Sequence, residues 1–241
     1  MEARTAAKDT AAAVSAVGGH FMLDGNTYQR GAELGFQGLD FYTTGRGGVL
    51  GDVDADVVAA AFTFFEPGHV RAQWELGCSV LPARQAAAEF GACCAAWAED
   101  RVPDELDAER LSRLLDQAVA GARPACAPIF AAFRALDVPA APKAHAVHQM
   151  NALRELRNGL HGAAVIASGL TPLQAVSLRS PAMAPLFGWP DVTDVDGLAP
   201  QWDAAEAATD EAMAHAFEPL TDGERAELVA LIGQLHAATQ G

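Results

Sequence analysis

Apolar residues recur at helical spacing along most of the chain, and helix start and stop signals separate the segments. In the segment 104–121 the side chains of Leu111, Leu114, Leu115 and Val119 fall on one face. Further helices are predicted for an Ala-rich opening segment, for 55–65, 84–100, 124–136, 143–168 and 172–179, and within 201–240. The pattern predicts an all-α fold, a multi-helix bundle with a Gly-rich N-terminal segment and little or no strand. A short ribbon over 43–50 or 192–198 is the alternative for strand.

Two N-terminal segments depart from the ordinary amphipathic pattern. Residues 20–51 are rich in glycine and aromatic residues, which indicates helices that approach each other closely. Residues 55–65, which follow the candidate N-caps Asp52 and Asp54, are apolar almost all round and end at Glu66-Pro67. A helix without a polar face is typical of the middle of a bundle, so we expect this one to be central.

The sequence PAAP at 139–142 marks the clearest connection in the chain. It divides an N-terminal helical half (1–138) from a C-terminal helical half (139–241), which we expect to pack as one compact unit. In the second half, Gly169 is a helix stop and Thr171-Pro172 a new start, which predicts two helices in a tight corner. Residues 180–200 carry four prolines and predict a loop, and Thr221 with Glu224 forms a capping box for the last helix.

The alanine content favours helix, and the net charge disfavours some classes of binding partner. The chain has 53 alanines, and alanine has the highest helix propensity. Its 16 basic and 31 acidic residues give a net charge of −15, and the last 40 residues hold one arginine, Arg225. This charge opposes binding to phosphate backbones and anionic lipids. We therefore expect a small-molecule ligand, no nucleic-acid partner, no membrane partner, and a homodimer as one possible assembly.

The cysteines and the N-terminus bear on the compartment. Cys78, Cys93, Cys94 and Cys126 have neither zinc-finger spacing nor the density of a disulfide framework, which favours free thiols. Residues 1–19 lack the order of a signal peptide, and no apolar run is long enough to span a bilayer. These features predict a cytoplasmic protein.

Two groups of residues resemble a large actinobacterial family of helical proteins that carries a helix-turn-helix name. The N-terminal group is His20, Tyr42, Arg46, Gly51, Val57, Val58, Ala60 and Phe62. The C-terminal group is His148, Leu153, Arg154, Glu155, Arg157, His161, Gly169 and Leu170. The chain departs from that pattern in having Gly159-Leu160 where the family has Asp-Gly. A winged segment expected between Trp189 and the last helix is reduced, which implies loss of the element that gave the family its DNA-binding name.

The densest polar cluster lies on the helix predicted for 143–168. Arg154, Arg157 and His161 share one face at i, i+3 and i+7. Two guanidinium groups and an imidazole in a row can hold a carboxylate, phosphate or enolate and move a proton near neutral pH. A solvated or ion-paired helix face is the alternative interpretation.

His145 and His148 form HxxH on the same helix, a spacing that lets both imidazoles approach one metal ion. A third ligand would have to come from elsewhere, for example His20 or His69. Because HxxH without a fixed carboxylate is common, a structural pair is the simpler interpretation. No cofactor is favoured, and a metal or a histidine-ligated haem is the alternative.

The N-terminal half offers a second set of candidates. Tyr42 and Arg46 bracket a Gly-containing segment whose backbone can approach a ligand, although a helix stop with a surface arginine fits too. Trp74 is either core or a ligand-facing ring. We predict that the two halves enclose one pocket with His161, His148 and Tyr42 as catalytic residues. The predicted substrate-binding residues are Arg157, Arg154, Arg46, His20 and Trp74.

The sequence leaves three functions open. The first is a cofactor-independent isomerase, lyase or cyclase of actinobacterial specialised or peripheral metabolism, acting on an anionic or enolic substrate with an apolar body by His/Arg acid-base chemistry. The second is a ligand-sensing regulator descended from a DNA-binding protein. The third is a non-catalytic partner subunit.

Overall fold

The computed structural model describes residues 1–240. Within that range the chain forms twelve α-helices and three short 3-10 turns, without a strand. The helices are α1 (Ala3–His20), α2 (Gly25–Leu34), α3 (Asp40–Gly47), α4 (Ala55–Ala61), α5 (Pro67–Val80), α6 (Ala83–Arg101), α7 (Ala108–Gly121), α8 (Pro128–Phe133), α9 (Pro142–Ala167), α10 (Pro172–Arg179), α11 (Ala199–Phe217) and α12 (Asp222–Ala238). The prediction of an all-α bundle is confirmed.

Neither segment offered as a ribbon forms strand. Residues 43–50 are the end of α3 and the 3-10 turn Gly48–Leu50, and 192–198 form no regular element. The first segment lies against α6 at very short range. It can do so because its glycines have no side chains at the points of closest approach. A Cβ on Gly45 would come within 2.6 Å of Phe90, and one on Gly48 within 2.1 Å of the Ala83 carbonyl oxygen. The predicted close approach in the Gly-rich segment is therefore present.

Helix α9 is the central helix of the bundle. It packs against α1, α6, α7, α8 and α11, and fourteen of its residues are buried. It therefore contacts elements of both halves of the chain. The prediction that the helix over 55–65 is central is wrong: α4 ends at Ala61 and leaves 46% of Val57 exposed. Alanine makes a helix look apolar on every face, although it is small enough to be tolerated on the surface.

The corner between α9 and α10 forms as predicted. Gly169 has φ of 84°, the Leu170 amide donates to the Val165 carbonyl, and the Gly169 amide donates to that of Ile166. This pair of bonds is a Schellman motif, in which a left-handed glycine lets the chain reverse out of a helix. Thr171 and Gln174 then cap the start of α10 reciprocally. Two helices are thus joined by a four-residue turn.

Other local signals are confirmed with shifted boundaries. The predicted stripe on α7 is fully or nearly buried, and Thr221 and Glu224 form the capping box of α12. Helix α8 is shorter than the predicted 124–136. The proline-rich segment 180–200 is mostly loop. None of the described helices combines the length and the apolar character needed to cross a bilayer.

Candidate functional site

A buried cluster of three charged side chains joins the two halves of the chain. Arg46 on α3 donates two hydrogen bonds to Glu155 on α9, from Nε to Oε1 and from Nη2 to Oε2, each 2.8 Å long. Arg154 donates from Nη1 to Glu155 Oε1 at 2.6 Å. The side chains of Arg46 and Glu155 are 4% and 1% exposed. The bidentate geometry is the strongest form of this pair and fixes α3 against α9.

The three charged groups of this cluster stabilise one another in their ionised forms. Burial opposes ionisation of Glu155, but the neighbouring Arg46 and Arg154 outweigh it and hold the pKa of the carboxyl below its ordinary value. Burial likewise opposes the charge on Arg46, and Glu155 raises its pKa. The Arg46 guanidinium also lies over the Phe62 ring, 4.3 Å from its centroid. The cluster carries one net positive charge.

Two cavities flank the cluster. Cavity A, of about 360 Å³, lies among α3, α6, α8 and α9, and we define it by Phe90, Cys94, Ile129, Phe133, His148 and Asn151. Cavity B, of about 270 Å³, lies among α3, α9, α10 and α11, and we define it by Tyr42, Phe65, Arg154, His161, Arg179 and Trp202. Met22 and Arg46 border both cavities. The buried cluster of Arg46, Arg154 and Glu155 thus forms part of the wall between cavity A and cavity B.

Cavity B combines aromatic walls with positive charge. Its walls include four aromatic rings, those of Phe64, Phe65, Phe187 and Trp202. Three arginines also line it: Arg46, Arg154 and Arg179. The Arg179 guanidinium stacks over Trp202 at 5.6 Å from the ring centroid, and within residues 1–240 no carboxylate pairs with it. Cavity B is therefore lined by aromatic rings and by more guanidinium groups than carboxylates, although the chain as a whole is acidic.

His161 borders cavity B as a neutral imidazole. Thr209 Oγ1 donates its only proton to the Ala205 carbonyl at 2.7 Å, so His161 Nδ1 must be the donor in the 3.0 Å contact between His161 and Thr209. The His161 Nε2 atom then carries the lone pair, 3.7 Å from Glu206 Oε1. Burial, with the positive charge of Arg157, lowers the pKa of His161 to about 4, against the opposing effect of Glu206. The ring can accept a hydrogen bond at Nε2 from a group in the cavity.

The structure brings some of the predicted site residues together. Tyr42, Arg46, Arg154 and His161 border cavity B, and His148 borders cavity A. The other three lie elsewhere. Arg157 pairs with Glu206 at 2.7 Å, His20 packs edge-on against Trp97, and Trp74 is buried beside Gly47. That any of the eight acts in catalysis or substrate binding stays a prediction.

The HxxH pair does not converge on one point. His145 Nε2 contacts Asp116 Oδ1 at 2.7 Å, whereas the His148 ring stacks on Phe133 at 4.5 Å between centroids. Within residues 1–240 there is no group of three or more His, Cys, Asp and Glu side chains placed to hold a metal ion.

Sequence reasoning missed two polar residues of the cavities. Arg179 ends the short helix α10 and borders cavity B, and Asn151 borders cavity A one turn from His148 on α9. The arginine was detectable as one of few cations in an acidic chain, placed at the end of a well-capped helix. The asparagine was detectable as a helix-disfavouring amide between apolar neighbours.

Comparison with known proteins gives one match. Residues 7–205, most of the chain and including the α9–α10 corner, match the Helix-turn-helix family. This finding overturns the prediction of no nucleic-acid partner, because the family is named for a DNA-binding motif. That prediction used the net charge and the single arginine of the last 40 residues; the net charge describes the average field, and neither ground decides what a helical element elsewhere in the chain contacts. No curated protein and no solved structure matches the chain. The chain belongs to the Helix-turn-helix family.

Proposed function

We propose that this protein is a ligand-sensing regulator of the Helix-turn-helix family, and that cavity B binds a small organic anion with an aromatic or otherwise apolar body. The observation that carries the proposal is the set of guanidinium groups around an aromatic cavity in a chain of net charge −15. Glu155 neutralises one of the three, which leaves a surplus for a carboxylate, phosphate or enolate. The aromatic walls suit the body of such a ligand.

The position of cavity B supports a sensing role. Both helices of the corner border cavity B: α9 contributes Arg154, Asn158 and His161, and α10 contributes Ala175, Val176 and Arg179. A bound anion would therefore contact both helices of the corner. A ligand shifts a conformational equilibrium when its contacts differ between the two states, and a ligand that bridges two helices has such contacts. In this proposal, ligand binding changes how the corner is presented to DNA.

Further parts of the proposal concern the compartment, the source organism and the way in which DNA would be bound. All four cysteines are free thiols, which supports a reducing compartment such as the cytoplasm. The actinobacterial source and the reduced winged segment belong to the proposal as well, so the proposal assigns DNA contact to the α9–α10 corner and not to a wing. Because the net charge is strongly negative, DNA binding would rely on a local surface or an additional subunit.

Calorimetric titration with 1-naphthoate tests the ligand class. We expect wild type to bind 1-naphthoate more tightly than its uncharged analogue 1-naphthamide. Arg179→Gln should raise the dissociation constant for naphthoate about tenfold or more, the loss expected for a charge-assisted hydrogen bond. Arg84→Gln is the matched control, since Arg84 is an exposed arginine without a carboxylate partner in the described chain and borders cavity A instead. Equal affinity for the acid and the amide would refute an anion site.

The regulatory part needs a separate measurement. Selection from a random duplex library should enrich a defined sequence, and adding 1-naphthoate should change its affinity for wild type more than for Arg179→Gln. If no sequence is enriched, the DNA-binding part of the proposal fails while the ligand site stands on the titration alone.

An enzyme with acid-base chemistry is the second candidate, favoured by the position of the His161 imidazole on the wall of cavity B beside the anion-binding groups. Phenylpyruvate is a suitable probe because it is an aromatic acid with enolisable protons. If His161 Nε2 acts as a base, wild type should accelerate exchange of the benzylic protons for deuterium, followed by NMR. His161→Gln keeps a donor for Thr209 and should retain binding but lose the acceleration. An exchange rate equal to that of buffer would exclude this role for phenylpyruvate.

A further inference from the structure

Cavity A differs from cavity B in the chemistry of its walls. It is lined mainly by apolar side chains, among them Phe21, Phe90, Ile129, Phe133 and Leu136. The Cys94 thiol also borders it, and burial raises the pKa of that thiol to about 12, so it stays protonated and unreactive. A space of about 360 Å³ is in the usual size range of sites for small organic molecules.

Two polar side chains of α9 meet this apolar space without a protein partner. Asn151 Oδ1 is buried and accepts no hydrogen bond. His148, three residues earlier, has a stacking partner in Phe133 but none for its ring nitrogens within residues 1–240. Burial and the nearby His145 lower the pKa of His148 to about 4, so at neutral pH the ring offers one donor and one acceptor. Leaving such groups unsatisfied is costly, which is the usual sign that something else satisfies them.

The charges around cavity A balance. Arg46 and Glu155 are paired with each other at its inner end, and Arg84 and Asp137, both exposed, stand at its border with opposite signs. An anion would gain no unpaired cation inside, in contrast to cavity B. The inner wall therefore favours a ligand without formal charge.

We propose that cavity A is a second ligand site, one that takes an uncharged and largely apolar molecule carrying a hydrogen-bonding group such as an alcohol, amide or lactam. The apolar body fills the space between α6 and α8, and the polar group bonds to Asn151 and His148. Because Arg46 and Met22 border both cavities, occupancy of cavity A bears directly on the wall of cavity B. The site itself stands on the geometry of cavity A and does not depend on what cavity B binds.

The test uses N-phenyl-1-naphthylamine, an uncharged fluorescent probe with one N–H donor. Gly91 lies at the exposed border of cavity A on α6, and a Cβ there meets no atom within 4 Å, so Gly91→Trp can be introduced without a clash at its first atom. We expect wild type to bind the probe and Gly91→Trp to raise its dissociation constant about tenfold or more. Arg179→Gln, in cavity B, should leave this constant unchanged.

Asn151→Leu separates a binding role from a structural one. It removes the orphan amide while keeping similar volume, so the free protein should unfold at a higher temperature, whereas the probe should bind about tenfold more weakly. A lower unfolding temperature would show that Asn151 is structural and would overturn its assignment to the site. The proposal also fails if wild type does not bind the probe, if Gly91→Trp binds it as tightly as wild type, or if Arg179→Gln weakens binding as much as Gly91→Trp does.

Discussion

Replacement of Glu155 by alanine is expected to lower the free energy of unfolding by about 3–5 kcal/mol. The substitution leaves Arg46 buried at 4% exposure with only Tyr42 as a polar partner, through a 3.4 Å contact. A guanidinium cannot release its proton, so its charge stays and its desolvation is no longer compensated. Arg154 is more exposed and can turn toward water. Urea unfolding at pH 7 measures the change, which is a large part of the stability of an ordinary domain.

The double variant Arg46→Met/Glu155→Leu is the control for this expectation. Removing both charges eliminates the uncompensated guanidinium, so the double variant should be more stable than Glu155→Ala alone. The pKa of Glu155 lies below its ordinary value, so its contribution is present above about pH 4.5 and is lost as the pH falls through the folded-state pKa. A loss below about 1 kcal/mol in Glu155→Ala would show that water reaches Arg46 and that the pair is not a buried one.

The elements that the sequence predicted well are those specified by local chemistry. The capping boxes at Thr171 and Thr221 and the left-handed Gly169 satisfy backbone groups at helix ends with nearby atoms. Such contacts depend on residues within one or two turns, so they are visible without the rest of the fold. The same holds for the buried stripe of α7, where large aliphatic residues alternate with charged ones.

Helix α4 shows where local pattern is insufficient. Beyond Ala61 the chain leaves the helix, and Phe62 and Phe65 pack against the Tyr42 ring instead of continuing along a helical stripe. The helical pattern is compatible with either course. Contacts with α3 decide between them, and these lie about 20 residues away in sequence.

The candidate site was predictable as a set of residue types and not as a geometry. The spacing of Arg154, Arg157 and His161 placed them on one face, but α9 is surrounded by other helices, so small differences in angle direct neighbouring side chains to different partners. Arg154 turns to Glu155, whereas Arg157 turns to Glu206 on α11. The pairing of Glu155 with Arg46 spans 109 residues and follows from no periodicity in the chain.

The second large effect is a loss of stability between pH 6.5 and 5. Burial lowers the pKa values of His148 and His161 to about 4, below their ordinary value of 6.5. As the pH falls below 6.5 the unfolded chain binds protons that the folded chain does not, so the free energy of unfolding decreases toward pH 4. At pH 5 this amounts to a loss on the order of 2 kcal/mol for each histidine. Well above pH 6.5 both groups are neutral in either state and contribute no pH dependence.

Urea unfolding of wild type and of His148→Leu/His161→Gln at pH 7 and pH 5 isolates this effect. Arg157 near one ring and His145 near the other disfavour protonation, while Glu206 and Asp116 favour it, and burial outweighs the two carboxylates. The double variant should therefore lose less stability than wild type over this range. His215→Gln is the control because the His215 side chain is far less buried, with 39% of it exposed, and it should follow wild type. The window lies above the range in which Glu155 titrates, so the carboxylate of the buried cluster does not contribute to the difference. Equal losses in wild type and the double variant would mean that both imidazoles bind protons in the folded chain as readily as in the unfolded one, and the pKa of each would then lie near its ordinary value.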